Sequence, residues 1–170
     1  MSQDVFIERI VKRGPDAKSA ILMVFIIIAA VIVCAAFILI PMLIPFFPIA
    51  LVACACTVYF LIKNQDVEFE YAVTNGEMDI DKIVGKSRRK RLMTVDCRRF
   101  DILAPYTDEF KRTRSRAEKV FDYSRGGDNS ESYFAMFRDG EKNIMLVFDP
   151  DDRMLEAFRV YIPSKLTKSV

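Results

Sequence analysis

SAILMVFIIIAAVIVCAAFILIPMLIPFFPIALVACACTVYFLI, residues 19–62, is a run of 44 residues without a single charge. A helix needs roughly 20 apolar residues to cross a hydrocarbon core about 30 Å thick, so the run is about twice too long for one span and suited to two. Pro41, Pro45 and Pro48 punctuate its middle, and proline lacks a donor N–H and clashes with the preceding helical turn. The sequence therefore predicts a transmembrane helix over about Ala20 to Ile40, a tight apolar turn through Pro41 to Pro48, and a second transmembrane helix over about Phe47 to Ile62. Leu51-Val52-Ala53-Cys54 has the form of a lipoprotein cleavage box. It lies in a second apolar segment with no basic region directly before it, so it reads instead as part of a small-residue packing face with Ala50 and Thr57.

Working outward, Arg9, Lys12, Arg13 and Lys18 precede the run, Lys63, Lys82, Lys86 and Arg88 come after it, and the turn between the spans holds neither Lys nor Arg. Short loops rich in positive charge stay in the cytoplasm, which predicts a multi-pass cell-membrane protein with both termini cytoplasmic. The overall charge of +2 averages an uncharged hairpin with flanks rich in both signs, a pattern of neither a uniformly basic nucleic-acid binder nor an acidic tail. Cys34, Cys54 and Cys56 lie within the predicted spans and Cys97 stands alone, so no disulfide framework is expected. Histidine is absent, which removes the commonest zinc ligand and the usual general base. No cofactor, no metal site and no enzymatic activity are expected.

Three regions result: 1–18, an amphipathic N-terminal helix and linker; 19–62, the hairpin; and 66–170, one cytoplasmic domain. In the first, Gln3 to Arg13 are expected to form a short helix, with Phe6, Ile7, Ile10 and Val11 on one side and Glu8, Arg9, Lys12 and Arg13 mostly on the other. Such a helix lies either on the inner leaflet or on the protein's own domain. From Val67 the pattern changes to period two, with Val67, Phe69, Tyr71 and Val73 alternating with Glu68, Glu70 and Ala72. Asn75-Gly76 predicts a two-residue hairpin turn, as does Asp139-Gly140 later. Further strands are expected at about Arg89 to Cys97, Arg99 to Leu103, Lys119 to Tyr123, Ser132 to Arg138 and Asn143 to Phe148. Asp149 reads as the N-cap and Pro150 as the first position of a last helix, with Met154, Leu155, Phe158, Tyr161 and Ile162 as its buried stripe.

About seven strands in antiparallel groups of four and three, then one amphipathic helix, is the order of elements in a pleckstrin-homology-like (PH-like) antiparallel β-barrel. EYAVTNGEM at residues 70–78, continuing through DKIVGK at 81–86 to Arg91, resembles the opening hairpin of bacterial PH-like domains attached to membrane helices. The whole chain, including FIERIVKR at 6–13, is similar to small two-helix membrane proteins of Gram-positive, clostridia-like bacteria. The resemblance implies a transmembrane α-helical hairpin carrying an α+β domain. It brings no catalytic residues.

The most conspicuous charged feature is Lys86-Ser87-Arg88-Arg89-Lys90-Arg91, within a stretch from Lys86 to Lys119 holding 12 basic and 5 acidic residues. Lys86, Arg88, Arg89, Lys90 and Arg91 are the candidate lipid-binding set, since each cation at an anionic leaflet contributes about 1 kcal/mol. The competing reading pairs them across the sheet with Glu68, Glu70, Glu77, Asp79 and Asp81. Nucleic-acid binding through Arg88 to Arg91 with Phe100, Tyr106 and Phe110 is not expected, because those aromatics fit a core. The expected partners are the bilayer, with anionic lipid head groups, a protein or a second copy as ligand, and the expected role is a non-enzymatic adaptor. The alternative is a small oligomeric channel or transport accessory, weakened because no ionisable residue lies in either span.

Overall fold

The computed structural model describes residues 6–14, 17–107, 111–127 and 131–163. The chain divides into two compact units, one holding the segment up to Gly14 together with everything from Val67, the other running from Pro15 to Asp66.

The second unit is the apolar hairpin: α1 (Ala17–Leu39), a 3-10 turn (Pro41–Phe46) and α2 (Phe47–Gln65). At 1.5 Å per residue they are about 35 and 29 Å long, and both are long and apolar enough to cross a membrane. Pro41 opens the turn and Pro48 sits in the first turn of α2, where its missing N–H would be unsatisfied anyway. Phe37 and Phe47 meet edge to face at 5.4 Å across the bend. The half-buried positions recur every three or four residues, Met23, Ile26 and Ala30 in α1 and Ala50, Cys54, Val58 and Leu61 in α2. Of the predicted small-residue face, Ala50 and Cys54 turn inward, while Ala53 and Thr57 are exposed and the Thr57 hydroxyl donates to the Ala53 carbonyl at 2.8 Å.

Among the described residues the other unit has eight strands: β1 (Phe6–Lys12), β2 (Val67–Thr74), β3 (Glu77–Val84), β4 (Arg88–Asp96), β5 (Phe100–Pro105), β6 (Lys119–Asp122), β7 (Tyr133–Asp139) and β8 (Lys142–Phe148). They form two four-stranded sheets, ordered β1-β2-β3-β4 and β5-β7-β8-β6, rather than one barrel of seven. All pairings are antiparallel except β6 with β8, which is parallel. Helix α3 (Asp152–Tyr161) closes the chain's described part, and Phe158 is fully buried against two aromatics of the second sheet, Phe100 of β5 and Phe148 of β8. Asn75 and Gly76 both have positive φ, 51 and 89, as the expected turn requires.

The largest correction concerns residues 6–12. They form not an amphipathic helix but β1, paired with β2 from Phe6 opposite Thr74 to Lys12 opposite Glu68. Seven residues make a marginal helix on their own, whereas beside β2 they satisfy its edge and bury Val11 in the core. The hairpin is thus inserted between the first and second strands of one folded unit, and 1–18 is not a separate element. Gln3 to Val5 of the expected helix lie outside the described residues.

A second correction concerns Asp149. The cap of α3 is Asp151, whose carboxylate accepts from the Met154 N–H at 2.8 Å. Asp149 is buried instead, accepting from the Ser132 hydroxyl and, at 2.7 Å, from the Arg125 N–H. The stripe of α3 is as the periodicity predicts: Met154, Leu155, Phe158 and Ile162 are buried and Tyr161 is half-buried. Strand β8 is buried from Ile144 to Phe148 without alternation, because both faces of its sheet are covered. Leu146 joins the main core, Met145 and Val147 a smaller cluster with Ala104, Tyr106 and Phe134. Of the aromatics expected to be core, Phe100 and Tyr106 are buried, and Phe110 lies outside the described residues.

Candidate functional site

The first sheet has one apolar face and one charged face because β2 and β3 alternate. Phe69, Tyr71, Val73, Met78 and Ile80 enter the core, so Glu68, Glu70, Asp79 and Asp81 point outward. The register sets Glu70 opposite Asp81 and Asp81 opposite Arg91, a row in which two carboxylates need cations. Arg91 supplies one. Its Nε pairs with Asp81 and its Nη1 lies 2.7 Å from Asp79, which also accepts from the Thr94 hydroxyl at 2.6 Å. A bulge between Ile80 and Asp81 keeps Arg91 and Thr94 on the same face. Arg89 pairs with Glu70. Glu70 and Asp81 are only 5 % and 7 % exposed beneath these guanidinium groups.

Electrostatically the row is under tension at Glu70. Burial raises its carboxyl above the usual range, a hydrogen bond and charge from Glu8 push the same way, and Arg89 opposes them. Burial likewise raises the Tyr71 phenol, whose O–H donates to the Tyr123 carbonyl at 2.5 Å, and pushes the Cys97 thiol up to about 11.

The five candidate lipid-binding residues therefore separate by parity. Arg89 and Arg91 are engaged by the sheet's own acids. Arg88 and Lys90 point to the other face, where the register sets Arg88 opposite Val84 and Lys90 opposite Lys82. Lys86, with φ of 56, stands in the turn before them. Among the described residues Lys86, Arg88 and Lys90 form no ion pair and are exposed. Other cations of the region are engaged: Arg98 by Asp96, the Asn75 carbonyl and the Tyr161 ring, Arg99 by the Arg138 carbonyl, Lys119 by the Phe121 ring.

Position matters as much as charge. Val67, Val84 and Arg88 form one row across β2, β3 and β4, and the Arg13 N–H donates to the Val67 carbonyl at 2.9 Å. The 85–87 turn thus occupies the end of the sheet from which both connections to the hairpin leave, Arg88 lying two strand spacings, about 10 Å, from Val67. At the opposite end Gly76 is covered by α3, where an added Cβ would meet the Tyr161 ring at 3.1 Å.

Sequence reasoning overlooked the Ser132–Asp149 contact, which joins the start of β7 to the end of β8, and the Ser124 hydroxyl's bond to Asp122 just after β6. No local signal marks a pair 17 residues apart.

A four-stranded meander packed on a second sheet, with a C-terminal helix inserted at one end through Phe158, defines a PH-like domain. The apolar hairpin enters between its first two strands. The chain belongs to the bacterial PH-like domain family DUF6106, whose family model matches residues 3–168. No curated protein and no solved structure matches it.

Proposed function

We propose that the protein is a multi-pass, membrane-anchored, non-enzymatic adaptor that holds its PH-like unit at the cytoplasmic leaflet, where Lys86, Arg88 and Lys90 bind anionic lipid head groups. The observation that carries this reading is the separation within 86–91: the cations left without carboxylate partners stand at the end of the sheet where the chain passes into the hairpin. Each contributes about 1 kcal/mol at an anionic surface. Arg89 and Arg91, expected from the sequence to share this role, support the sheet instead.

The β1–β2 pairing also supports an even number of spans. One folded unit built from both flanks of the hairpin requires both flanks on the same side of the membrane, and the distribution of Lys and Arg favours the cytoplasmic side.

The test uses the full chain in nanodiscs of anionic or zwitterionic lipid, reading acetylation of individual lysines by mass spectrometry. Lys86 and Lys90 are expected to react several-fold more slowly in the anionic discs and to recover at high salt, because exposed charges are screened within about 8 Å at physiological ionic strength. Lys142, in the β7–β8 hairpin, serves as the internal control. Equal rates in both lipids would end the lipid reading and leave a protein ligand for this surface.

A further inference from the structure

Strands β3 and β4 set two lysines against each other. The register places Lys82 opposite Lys90, with Phe69 on the other side of Lys82 and Val11 beyond, so one row crosses the sheet as Val11, Phe69, Lys82 and Lys90. Residues paired in this way share a face, and the burial of Val11 and Phe69 in the core identifies it as the inner one. The next row toward the connections to the hairpin is Val67, Val84 and Arg88, also without an acid. Glu68, Glu70, Asp79 and Asp81 stand on the outer face with Arg89 and Arg91. Lys82 and Lys90 therefore have no carboxylate in either row, and among the described residues neither forms an ion pair.

The Cβ atoms of such a pair are about 5 Å apart, and like charges directly opposite one another destabilise a sheet. Lys82 is half-buried beside the buried Phe69, where salt and water screen its charge less than on an open strand. The fold maintains this repulsion one row in from the end at which the chain passes to the hairpin, two residues or about 7 Å from Arg88. One group with more than one negative charge and several acceptor oxygens relieves both lysines at once.

We propose that Lys82 and Lys90 together clamp a terminal phosphomonoester, the head group of a lipid whose phosphate bears no further substituent. The inference rests on the lipid reading above and names the class of head group. A phosphomonoester carries a charge of about −1.5 to −2 at pH 7 and three strong acceptor oxygens, enough for two ammonium groups that have three donors each and no acceptor. A phosphodiester carries less charge and holds its alcohol on the side from which the lysines approach. Because the pair stands behind Arg88 as seen from the hairpin connections, a phosphate with nothing beyond it reaches the pair, and a substituted one meets it with its alcohol first. Lys86 and Arg88, in the turn and in the outermost row, face no such constraint and take either kind of head group.

The test uses the full chain in nanodiscs that are wholly zwitterionic, contain phosphatidylglycerol, or contain phosphatidic acid at the fraction giving the same surface charge, with acetylation of each lysine read by mass spectrometry. A further sample adds millimolar glycerol 3-phosphate to the zwitterionic discs. Lys82 and Lys90 are expected to react about fivefold more slowly with phosphatidic acid than with phosphatidylglycerol, the effect of one further charge contact, while Lys86 slows alike in both. Lys90→Gln should abolish the extra slowing at Lys82, and Lys90→Arg, which keeps the charge, should preserve it. Equal rates at Lys82 in the two anionic discs would overturn the proposal, and if Lys86 is still slowed in both, the lipid reading stands without it. Absence of slowing at all three lysines would end both. Slowing of Lys82 by glycerol 3-phosphate as strong as that by phosphatidic acid would overturn the lipid source and assign the pair to a soluble phosphate ester.

Discussion

Helix α1 and strand β8 are both rich in large aliphatic residues, yet they meet opposite surroundings. In β8 every side chain from Ile144 to Phe148 is buried, because the sheet is covered on both faces. In α1 the hairpin partner covers a single seam, leaving Ile21, Phe25, Ile28 and Ile32 49–65 % exposed. The same residue types thus act as core in one region and as outer surface in the other. Exposed apolar surface on this scale would drive association in water, and an acyl-chain environment removes that cost. The comparison teaches that composition alone does not say where an apolar segment resides; the number of faces its neighbours can cover does.

The largest test of that contrast removes the hairpin altogether. Residues 67–170 alone are expected not to melt cooperatively, because β2 loses its neighbour and Val11 leaves the core. Residues 1–14 joined to 67–170 by a short Gly-Ser linker should fold, since Arg13 and Val67 are already hydrogen-bonded neighbours. Calorimetry of the two proteins decides. If both melt alike, the β unit does not depend on the strand that precedes the hairpin.

Matched truncations sharpen the contrast next. Phe158→Ala in α3 should destabilise the β unit by about 3–5 kcal/mol, as a large buried truncation does. Phe25→Ala, which removes an exposed ring of α1, should leave that unit's urea midpoint unchanged when the full chain is followed in micelles by tyrosine fluorescence. A Phe158→Ala midpoint within error of wild type would make α3 peripheral.

The smallest effects separate the charged residues of β4. Arg89→Gln leaves the buried Glu70 carboxylate without its cation and should cost about 1–3 kcal/mol, whereas Lys90→Gln should stay within about 0.5 kcal/mol. The pH dependence has a definite sign. Glu70 holds its proton more tightly folded than its ordinary value of 4.5 implies, so its contribution to stability grows as pH falls through the raised value and is lost above it. Glu70→Gln should remove that dependence, read as the difference between urea midpoints on either side of the transition. An unaltered pH profile in the variant would assign the titration elsewhere.

Local and periodic signals accounted for much of the molecule. The uncharged run with three central prolines marked the hairpin to within three residues at the start of α1 and at the end of α2. Asn75-Gly76 and Asp139-Gly140 marked two turns, and the spacing of Met154, Leu155, Phe158 and Ile162 marked the buried side of α3. Each of these depends on neighbours within a few positions, where backbone sterics and side-chain period act directly.

Four features were decided only in three dimensions: β1 as a strand, the parallel pairing of β6 with β8, the burial of Asp149, and the division of residues 86–91 into paired and unpaired cations. Residues 6–12 carry a helix-like apolar spacing, and their partner strand begins 55 residues after Lys12, at Val67. Asp149 has the composition of a cap but accepts from Ser132 on a neighbouring strand's approach. Arg89 and Lys90 are adjacent and chemically alike in sequence, and differ because a strand sends successive side chains to opposite faces and only one face holds acids. What the sequence determined was every element whose cause is local. Tertiary structure decided the rest because an edge, a partner and a buried charge exist only once distant segments have met.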